Sequence, residues 1–571
     1  VQLFWEVHFM AVVDGGTLVG RVLAEQQVKY LFSINGGHLF PILANLNNNG
    51  IKLIHMRHEQ ATAYAADGYA RVTGRPGVCC VTAGCGLTNA VTGLCVAGLT
   101  GSSVVCISGQ HPVGEDGLGS FQEAYGADIC RSFSKFTHRV LDWHRISFDV
   151  RQAFRQAMLP PQGVSVLEIP TNVLYHQQEE SEQVPGAKVY QPDELRSQGD
   201  PRSIQRVADM LAHSERPLLV GGDGVFWSGA AAELVELAEL TNTPVYTRRA
   251  GHGSLSEAHP LAIQGAWKKP FTGRADLVIA IGFRFWSGEK FGQPPTWTDK
   301  AKYVQIDATP ARIGWQVPAE VALVGDPKLV LRQLIDAVKA RKKDFPSTKN
   351  ADWLGEVNTA RENFRKLVHD RVTKVRSEHP IHPDRLLADL VSVADDDATV
   401  VVDSFTLSGY ISHHWTVRFP GQIVDAGPLA PVGHGIGMAI GAQLGRPGKQ
   451  VITVIGDGGI GIGGWDLETA AKYNIPIITV LWNNSSWGPS FEQMPMLKGR
   501  TDAFDMIPGI RYDRIFQEMG CHGEHVEQAD EIVPALKRAF ASGKPSVINV
   551  VGDKRIGHPT LGGNLLGSTQ V

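Results

Sequence analysis

The stretch Val451-Ile452-Thr453-Val454-Ile455-Gly456-Asp457-Gly458 decides the architecture. An uncharged, β-branched run ends in a Gly-Asp-Gly turn. After 24 further residues, Asn483-Asn484 closes a second apolar run, Ile475–Trp482. Two such runs, with room for one helix between them, read as parallel neighbours in an open α/β sheet. Ligands bind such sheets outside the carboxyl ends of the strands. The turn therefore brings one carboxylate, Asp457, and one amide oxygen, Asn484, to a single edge. Hard oxygen donors of this kind suit Mg²⁺, which shares its shell with phosphate oxygens and water. Gly458, Gly459 and Gly461 let backbone N–H groups approach an anion.

The same alternation of strand-like and helix-length segments extends outward over the 571 residues. In the first third, Tyr30–Ile34, Lys52–His55, Gly77–Thr82, Val104–Ser108 and Val164–Ile169 read as strands, with helices over His58–Val72 and Asn89–Leu99. Gln177–Asp200 reads as a polar linker. A second unit, starting near Pro201, offers Pro217–Gly221, Pro244–Thr247, Leu277–Ile281 and Tyr303–Ile306. Lys339–Lys349 reads as an exposed connection, followed by a helix over Trp353–Val375. Thr399–Val402, Gln450–Ile455, Ile475–Trp482 and Ser546–Val551 form the third unit. At ~150 residues per domain the length allows three or four domains, and the pattern gives three doubly wound parallel-sheet domains. Their spans are 8–178, 200–345 and 380–551, with a tail over 552–571.

Composition excludes several classes. Lys+Arg 54 against Asp+Glu 58 leaves a net charge of -4, so no basic field exists to carry nucleic-acid or membrane-surface binding. No apolar run approaches the ~18–20 residues of a membrane span. Val1–Val13 is apolar but broken by Glu6 and His8, without a basic region before it, so no signal peptide is expected. Of 7 Cys, five lie between Cys79 and Cys106 with no CxxC spacing, which speaks against zinc or a disulfide framework and for a reduced, cytoplasmic setting. Gly 62 is high against an average of ~7%.

Gly456-Asp457-Gly458 with Asn483-Asn484 resembles the thiamine diphosphate (ThDP) motif of the acetolactate synthase/oxalyl-CoA decarboxylase superfamily. The resemblance implies Mg²⁺ held by Asp457, Asn484 and the Ser486 carbonyl. Arg57-His58-Glu59-Gln60-Ala61 through Ala66-Asp67-Gly68-Tyr69-Ala70-Arg71 resembles the segment whose glutamate, here Glu59, faces the aminopyrimidine ring. An isolated glutamate there would equally open a helix. Thr82-Ala83-Gly84-Cys85-Gly86-Leu87-Thr88-Asn89 is similar to the family's Gly-Pro-Gly-x-Thr-Asn turn, with Cys85 in place of proline. Cofactor contacts are thereby implied at Thr82, Asn89, Phe405, Thr406, Leu429, Val432, Gly456, Gly458, Gly459, Ile460 and Asn484. Val432 matches the bulky residue that bends the cofactor. Gly109-Gln110 and Phe121-Gln122-Glu123 also match, with Gln122 near substrate or simply a loop residue.

Within the superfamily, Pro431-Val432-Gly433-His434-Gly435-Ile436-Gly437-Met438-Ala439 is read as a helix. 2-Keto acid decarboxylases and acetolactate synthases usually carry proline where Gly437 stands. Oxalyl-CoA decarboxylases and 2-hydroxyacyl-CoA lyases carry glycine. The chain thus most resembles bacterial 2-hydroxyacyl-CoA lyases of the 2-hydroxyisobutyryl-CoA lyase type. That implies an acyl-CoA substrate and cleavage to a ketone or aldehyde plus formyl-CoA. The alternatives are an acetolactate-synthase-like carboligase, a 2-keto acid or oxalyl-CoA decarboxylase, and a non-catalytic relative. Glu492, after the metal loop, is the implied base, with His38 of Asn35-Gly36-Gly37-His38 as a second ionisable group. Both also admit ordinary structural readings. The central unit, with Gly221, Gly222, Arg284, Asp307 and Asp326, is expected to bind ADP in preference to FAD, or nothing. The tail is expected to close over the site. The cofactor is expected between subunits, making a homodimer the minimum and a tetramer the expected state.

Overall fold

The computed structural model describes residues 12–179, 195–404, 406–488 and 498–559. Its contacts divide the chain into two compact units. The first holds residues up to Asp67 and Pro76–Pro192; the second holds Gly68–Arg75 and everything from Asp193 onward.

The first unit is built on a six-stranded parallel sheet. Its strands are β2 (Tyr30–Ser33), β3 (Lys52–His55), β4 (Gly77–Val81), β5 (Val104–Gln110), β6 (Phe136–Arg139) and β7 (Val164–Pro170), in the order β3-β2-β4-β5-β7-β6. β4, β5 and β7 are buried along their whole length. That is why they read as continuous apolar runs, as central parallel strands covered on both faces do. β1 (Val12–Asp14) pairs antiparallel with β8 (Gln177–Glu179). The expected linker Gln177–Asp200 therefore begins as a strand. Residues 180–194 lie outside the described part.

The second unit holds two more sheets. One contains β9 (Pro217–Gly221), β10 (Val245–Thr247), β11 (Ala262–Ile263), β12 (Leu277–Ile281), β13 (Lys302–Asp307) and β14 (Val321–Val324), ordered β11-β10-β9-β12-β13-β14. This is the 3-2-1-4-5-6 order of nucleotide-binding folds, whose switch point falls between β9 and β12. The other contains β15 (Thr399–Val402), β16 (Ile423–Asp425), β17 (Val451–Gly456), β18 (Ile478–Asn483), β19 (His522–Val526) and β20 (Ser546–Val551), ordered β16-β15-β17-β18-β20-β19. Three parallel-sheet α/β domains result, and all three sheets have aliphatic cores.

Several expectations are corrected. The helix expected from Pro431 starts at Gly435, so Pro431–His434 forms a turn. Its reason is Gly433, whose φ of +88° breaks helical geometry. The connection Lys339–Lys349 is not simply exposed. Lys339 ends the helix Pro327–Ala340, Phe345 is buried, and Lys349 Nζ donates to the carbonyls of Ala212 and Ser214. The charged helix runs Ala351–Lys374 and buries only Trp353 and Val357.

Candidate functional site

Parallel pairing sets the geometry of the third sheet's carboxyl edge. Val402 pairs with Val454, and Gly456 pairs with Trp482. The residues that follow β15, β17 and β18 therefore emerge together: Asp403, Asp457 and Asn483-Asn484. The helix Asp457–Gly463 begins immediately after β17. Gly458, Gly459 and Gly463 serve close packing, whereas a Cβ at Gly461 would meet nothing within 4 Å. A Cβ at Gly458 would lie 2.7 Å from the Trp487 ring, and one at Gly463 would lie 2.1 Å from the Gly433 carbonyl. Ile460 is buried, with its side chain packed beside Gly464.

Asp457 is 2% exposed. Its Oδ1 accepts from the Gly458 amide at 3.0 Å, while buried Oδ2 has no hydrogen-bond partner among the described residues. Burial pushes its carboxyl up to about 6, against the backbone amides of Gly458, Ser485 and Ser486, which favour the charge. A buried carboxylate oxygen without a donor is costly unless a cation neutralises it. Asn484 lies beside it. Its Oδ1 accepts from the Ser486 amide at 3.2 Å, and its Nδ2 donates to the Gly488 carbonyl at 3.2 Å. Asn483 is structural, donating to the Ile510 carbonyl and to Asn549. Ser485 adopts φ +54° to turn the chain, and the buried Ser486 Oγ lacks a partner among the described residues. The donor set fits a hard divalent cation held by Asp457 and Asn484. Thr406 is buried at the start of the helix Thr406–His414, Leu429 is 39% exposed and Val432 half-buried. Phe405 and Glu492 lie outside the described residues.

The first unit gathers the other set. Glu59 opens the helix Glu59–Thr73, and its Oε2 accepts from Asn89 Nδ2 at 3.0 Å. Asn89 comes from the helix Cys85–Thr100, four residues longer at its start than the sequence indicates. Within the isolated chain Glu59 is half-buried, where the resemblance implied a buried acid. His38 is locked in place. Its Nδ1 lies 3.1 Å from Thr82 Oγ1, its Cβ fills the space that Gly109 leaves open, and its ring stacks on Phe121 at 6.4 Å. Burial, then the neighbouring His111, lowers its affinity for a proton. Gln122 adopts φ +59° and donates to Cys85 Sγ at 3.3 Å. A side chain at Gly84 would strike the Gln122 carbonyl at 2.4 Å. The Gly84-Cys85 turn and the Gln122 loop are thus fitted to each other.

The residues holding that loop escaped the sequence reading. Glu168, 4% exposed, accepts from Gln110 Nε2 and the Ala127 amide. His111 bridges Gln110 and Asp116, and Asp116 pairs with Arg139 at 2.8 Å. Glu123 accepts from the amides of Gly117, Gly119 and Ser120. Gly109-Gln110 and Phe121-Gln122-Glu123 hinted at this; Glu168 and Arg139 did not, because they are far from their partners in sequence.

In the central sheet, Gly221 ends β9, Gly222 follows it and Gly282 follows β12, at the switch point. A Cβ at Gly222 would lie 2.4 Å from the Gly282 carbonyl, so this glycine is demanded by packing. Arg284 pairs with Asp223 at 2.5 Å. Asp307 ends β13, accepts from the Thr309 amide, and is held above the usual carboxylate range by burial. Asp326 follows β14 at the same edge. It caps the helix Pro327–Ala340 through the amides of Lys328 and Leu329 and lies 3.7 Å from Arg196. Gly221, Gly222, Arg284, Asp307 and Asp326 all lie at the carboxyl edge of this sheet, Asp326 also serving as a helix cap.

Three family models match in chain order. They are the thiamine pyrophosphate enzyme N-terminal TPP binding domain over residues 13–130, the central domain over 204–334, and the C-terminal TPP binding domain over 406–550. An acetolactate synthase large subunit of Mycobacterium tuberculosis is 31% identical over 551 residues, covering 96% of this chain and 97% of the relative. The chain belongs to the thiamine pyrophosphate enzyme family. Other members of this family are similar too. A 2-hydroxyacyl-CoA lyase of Arabidopsis thaliana is 28% identical over 95% of this chain and 96% of its own length. The human 2-hydroxyacyl-CoA lyase 1 is 26% identical over 94% of both. As a thiamine pyrophosphate enzyme, the chain carries both cofactor-binding domains. None of the described helices is long and apolar enough to cross a membrane.

The described tail is docked on the third sheet. The Gly552 amide donates to the Asn483 carbonyl at 2.8 Å, and Tyr410 donates to the Gly557 carbonyl at 3.2 Å. His558 is buried where Gly409 leaves room, and burial holds its ring down to about 4. Residues 560–571 lie outside the described part.

Proposed function

We propose that this ThDP enzyme is a carbon–carbon lyase. It cleaves a 2-hydroxyacyl-CoA, such as 2-hydroxyisobutyryl-CoA, to a ketone or aldehyde and formyl-CoA, and runs backwards as an acyloin condensation. The observation that carries the choice is Gly437. It lies inside the helix Gly435–Gly445, fully buried, where carboligases and 2-keto acid decarboxylases usually have proline. Likeness to named 2-hydroxyacyl-CoA lyases over nearly the whole chain supports the same reading.

Bound ThDP supplies a C2 carbanion and an electron sink. In this reading Asp457, Asn484 and the Ser486 carbonyl hold Mg²⁺ and, with the backbone of Gly456, Gly458, Gly459 and Ile460, receive the diphosphate. Thr82, Asn89, Phe405, Thr406, Leu429 and Val432 line the rest of the cofactor. Glu59, oriented by Asn89, shares its proton with the aminopyrimidine ring. Glu492 takes the proton of the substrate 2-hydroxyl, and His38 and Gln122 border the substrate. Gly221, Gly222, Arg284, Asp307 and Asp326 bind ADP in preference to FAD: Arg284 suits a phosphate and Asp307 a ribose hydroxyl. The chain works as a homo-oligomer, at least a dimer, in the cytoplasm, and residues 552–571 act as a lid that excludes water.

A carboligase of acetolactate-synthase type is the second reading, favoured by the 31% identity to such an enzyme. One screen separates them. 2-Hydroxyacyl-CoA thioesters are offered with formyl-CoA detection, and 2-keto acids in parallel. Formyl-CoA release supports the lyase. Turnover of 2-keto acids alone overturns it.

A further inference from the structure

His434 is completely buried, and a carbonyl oxygen faces each of its ring nitrogens. Nδ1 lies 2.8 Å from the Pro431 carbonyl and Nε2 lies 3.0 Å from the Val402 carbonyl. A carbonyl oxygen only accepts, and a neutral imidazole donates from one nitrogen alone. A neutral ring would set a nitrogen lone pair against an oxygen lone pair at hydrogen-bond distance, with water excluded. The arrangement is satisfied by a ring that donates at both nitrogens. The balancing charge is adjacent. Asp403, also 0% exposed, has Oδ2 at 3.7 Å from Nδ1; burial raises its affinity for a proton, and the charge of His434 and the amides of Gly433, Gly435 and Ser404 oppose that. Asp403 in turn accepts from the amides of Gly433 at 3.0 Å and Gly435 at 2.7 Å.

The two side chains reach past each other. His434 belongs to the turn Pro431–His434 and grips the end of β15; Asp403 follows β15 and grips the turn. The turn has no slack. Gly433 holds φ +88°, and any Cβ there would lie 2.7 Å from Ile462. Its carbonyl is packed onto Gly463 of the helix that starts at Asp457. A shift of the turn is therefore felt by Val432 and by the Gly-Asp-Gly helix alike.

We propose that His434 is a positioning residue, present as imidazolium, whose buried pair with Asp403 fixes the turn carrying Val432 and thereby the bent cofactor. The cofactor half of this inference rests on the role proposed above for Val432; the charge half does not.

Two measurements test it. A neutron structure of the ThDP–Mg²⁺ holoenzyme grown in D₂O should show deuterons on both ring nitrogens of His434. A single deuteron overturns the proposal, whatever the cofactor does. Secondly, the hydrogen–deuterium exchange rate at C2 of bound ThDP is measured in wild type, His434→Phe and the double variant His434→Phe/Asp403→Asn. His434→Phe should slow exchange and kcat at least tenfold while shifting the KM of the thioester less than twofold. The double variant, relieved of the lone buried carboxylate, should regain at least a third of that loss. Wild-type exchange in His434→Phe refutes the positioning role, as does a loss shared equally with KM. If His434→Phe does not fold, Asp403→Asn in the same assay and the neutron structure decide. Failure of the wild-type protein to bind ThDP would instead remove the reading of Val432.

Discussion

Asn89 donates from Nδ2 to Glu59 Oε2 across 3.0 Å, joining the start of one helix to the first turn of the next. The bond fixes which carboxylate oxygen stays available. Glu59→Gln is expected to retain ThDP and slow proton exchange at C2 by roughly 10²–10⁴-fold, the usual worth of a positioned proton-transfer group. Asn89→Ala should fall between that variant and wild type. Exchange measured by NMR on the bound cofactor checks both, and undiminished exchange in Glu59→Gln refutes the role.

Asp457 carries a raised carboxyl, about 6, in the metal-free protein. The sign follows from linkage. A carboxyl whose folded-state value is raised binds its proton more tightly folded than unfolded. Its contribution is intact below the unfolded value of ~3.9 and is lost as pH rises through about 6. Metal and proton compete for the same oxygens, so Mg²⁺ affinity should drop roughly tenfold per pH unit below about 6. Asp457→Asn should raise the melting temperature of metal-free protein at pH 8 yet abolish Mg²⁺-dependent ThDP binding. Calorimetry with and without Mg²⁺ reads both effects.

Glu492→Ala is expected to leave ThDP bound and C2 exchange intact while cutting thioester cleavage at least ~10²-fold, in line with loss of a general base. Near-wild-type turnover would sink the assignment of this residue.

Asp384 is a structural counterpart. Its carboxylate takes both nitrogens of an Arg371 fork and His414 Nε2 at 2.8 Å. Burial opposes its charge, but the bonds from His414 and Arg371 hold it down to about 2. Its contribution is present above the ordinary carboxylate value of ~3.9 and is lost as pH falls toward about 2. Removing one member of such a buried pair costs roughly 3–5 kcal/mol. Asp384→Ala should therefore lower denaturant stability by about that amount, and the difference from wild type should shrink below pH 4.

The sequence reading succeeded where burial is two-sided. β9, β12, β15 and β20 match their expected runs because central parallel strands are apolar throughout. Five of the six edge strands of the three large sheets, β6, β11, β14, β16 and β19, escaped it. Edges are half-solvated or short: β19 is His522-Gly523-Glu524-His525-Val526, whose composition resembles a loop. Asp457, Asn484 and Glu59 were legible because their motifs are local. Glu168, His111 and Asp403 were not, since what makes them matter is partners brought close only by folding. Asp326 also caps a helix, which its local sequence, Asp326-Pro327, signals as well.

The first and third sheets run in the same order, 2-1-3-4-6-5 counted along each. Equivalent crossings therefore hold equivalent offices. Thr82–Gly84 follows the third strand of one, Gly456-Asp457 the third strand of the other. Gln110-His111 and Asn483-Asn484 close the fourth strands. One topology is thus present twice in the chain, and the turns at equivalent edges carry different residues. The specialisation resides in a small set of turn residues, while the strands beneath them are interchangeable in kind.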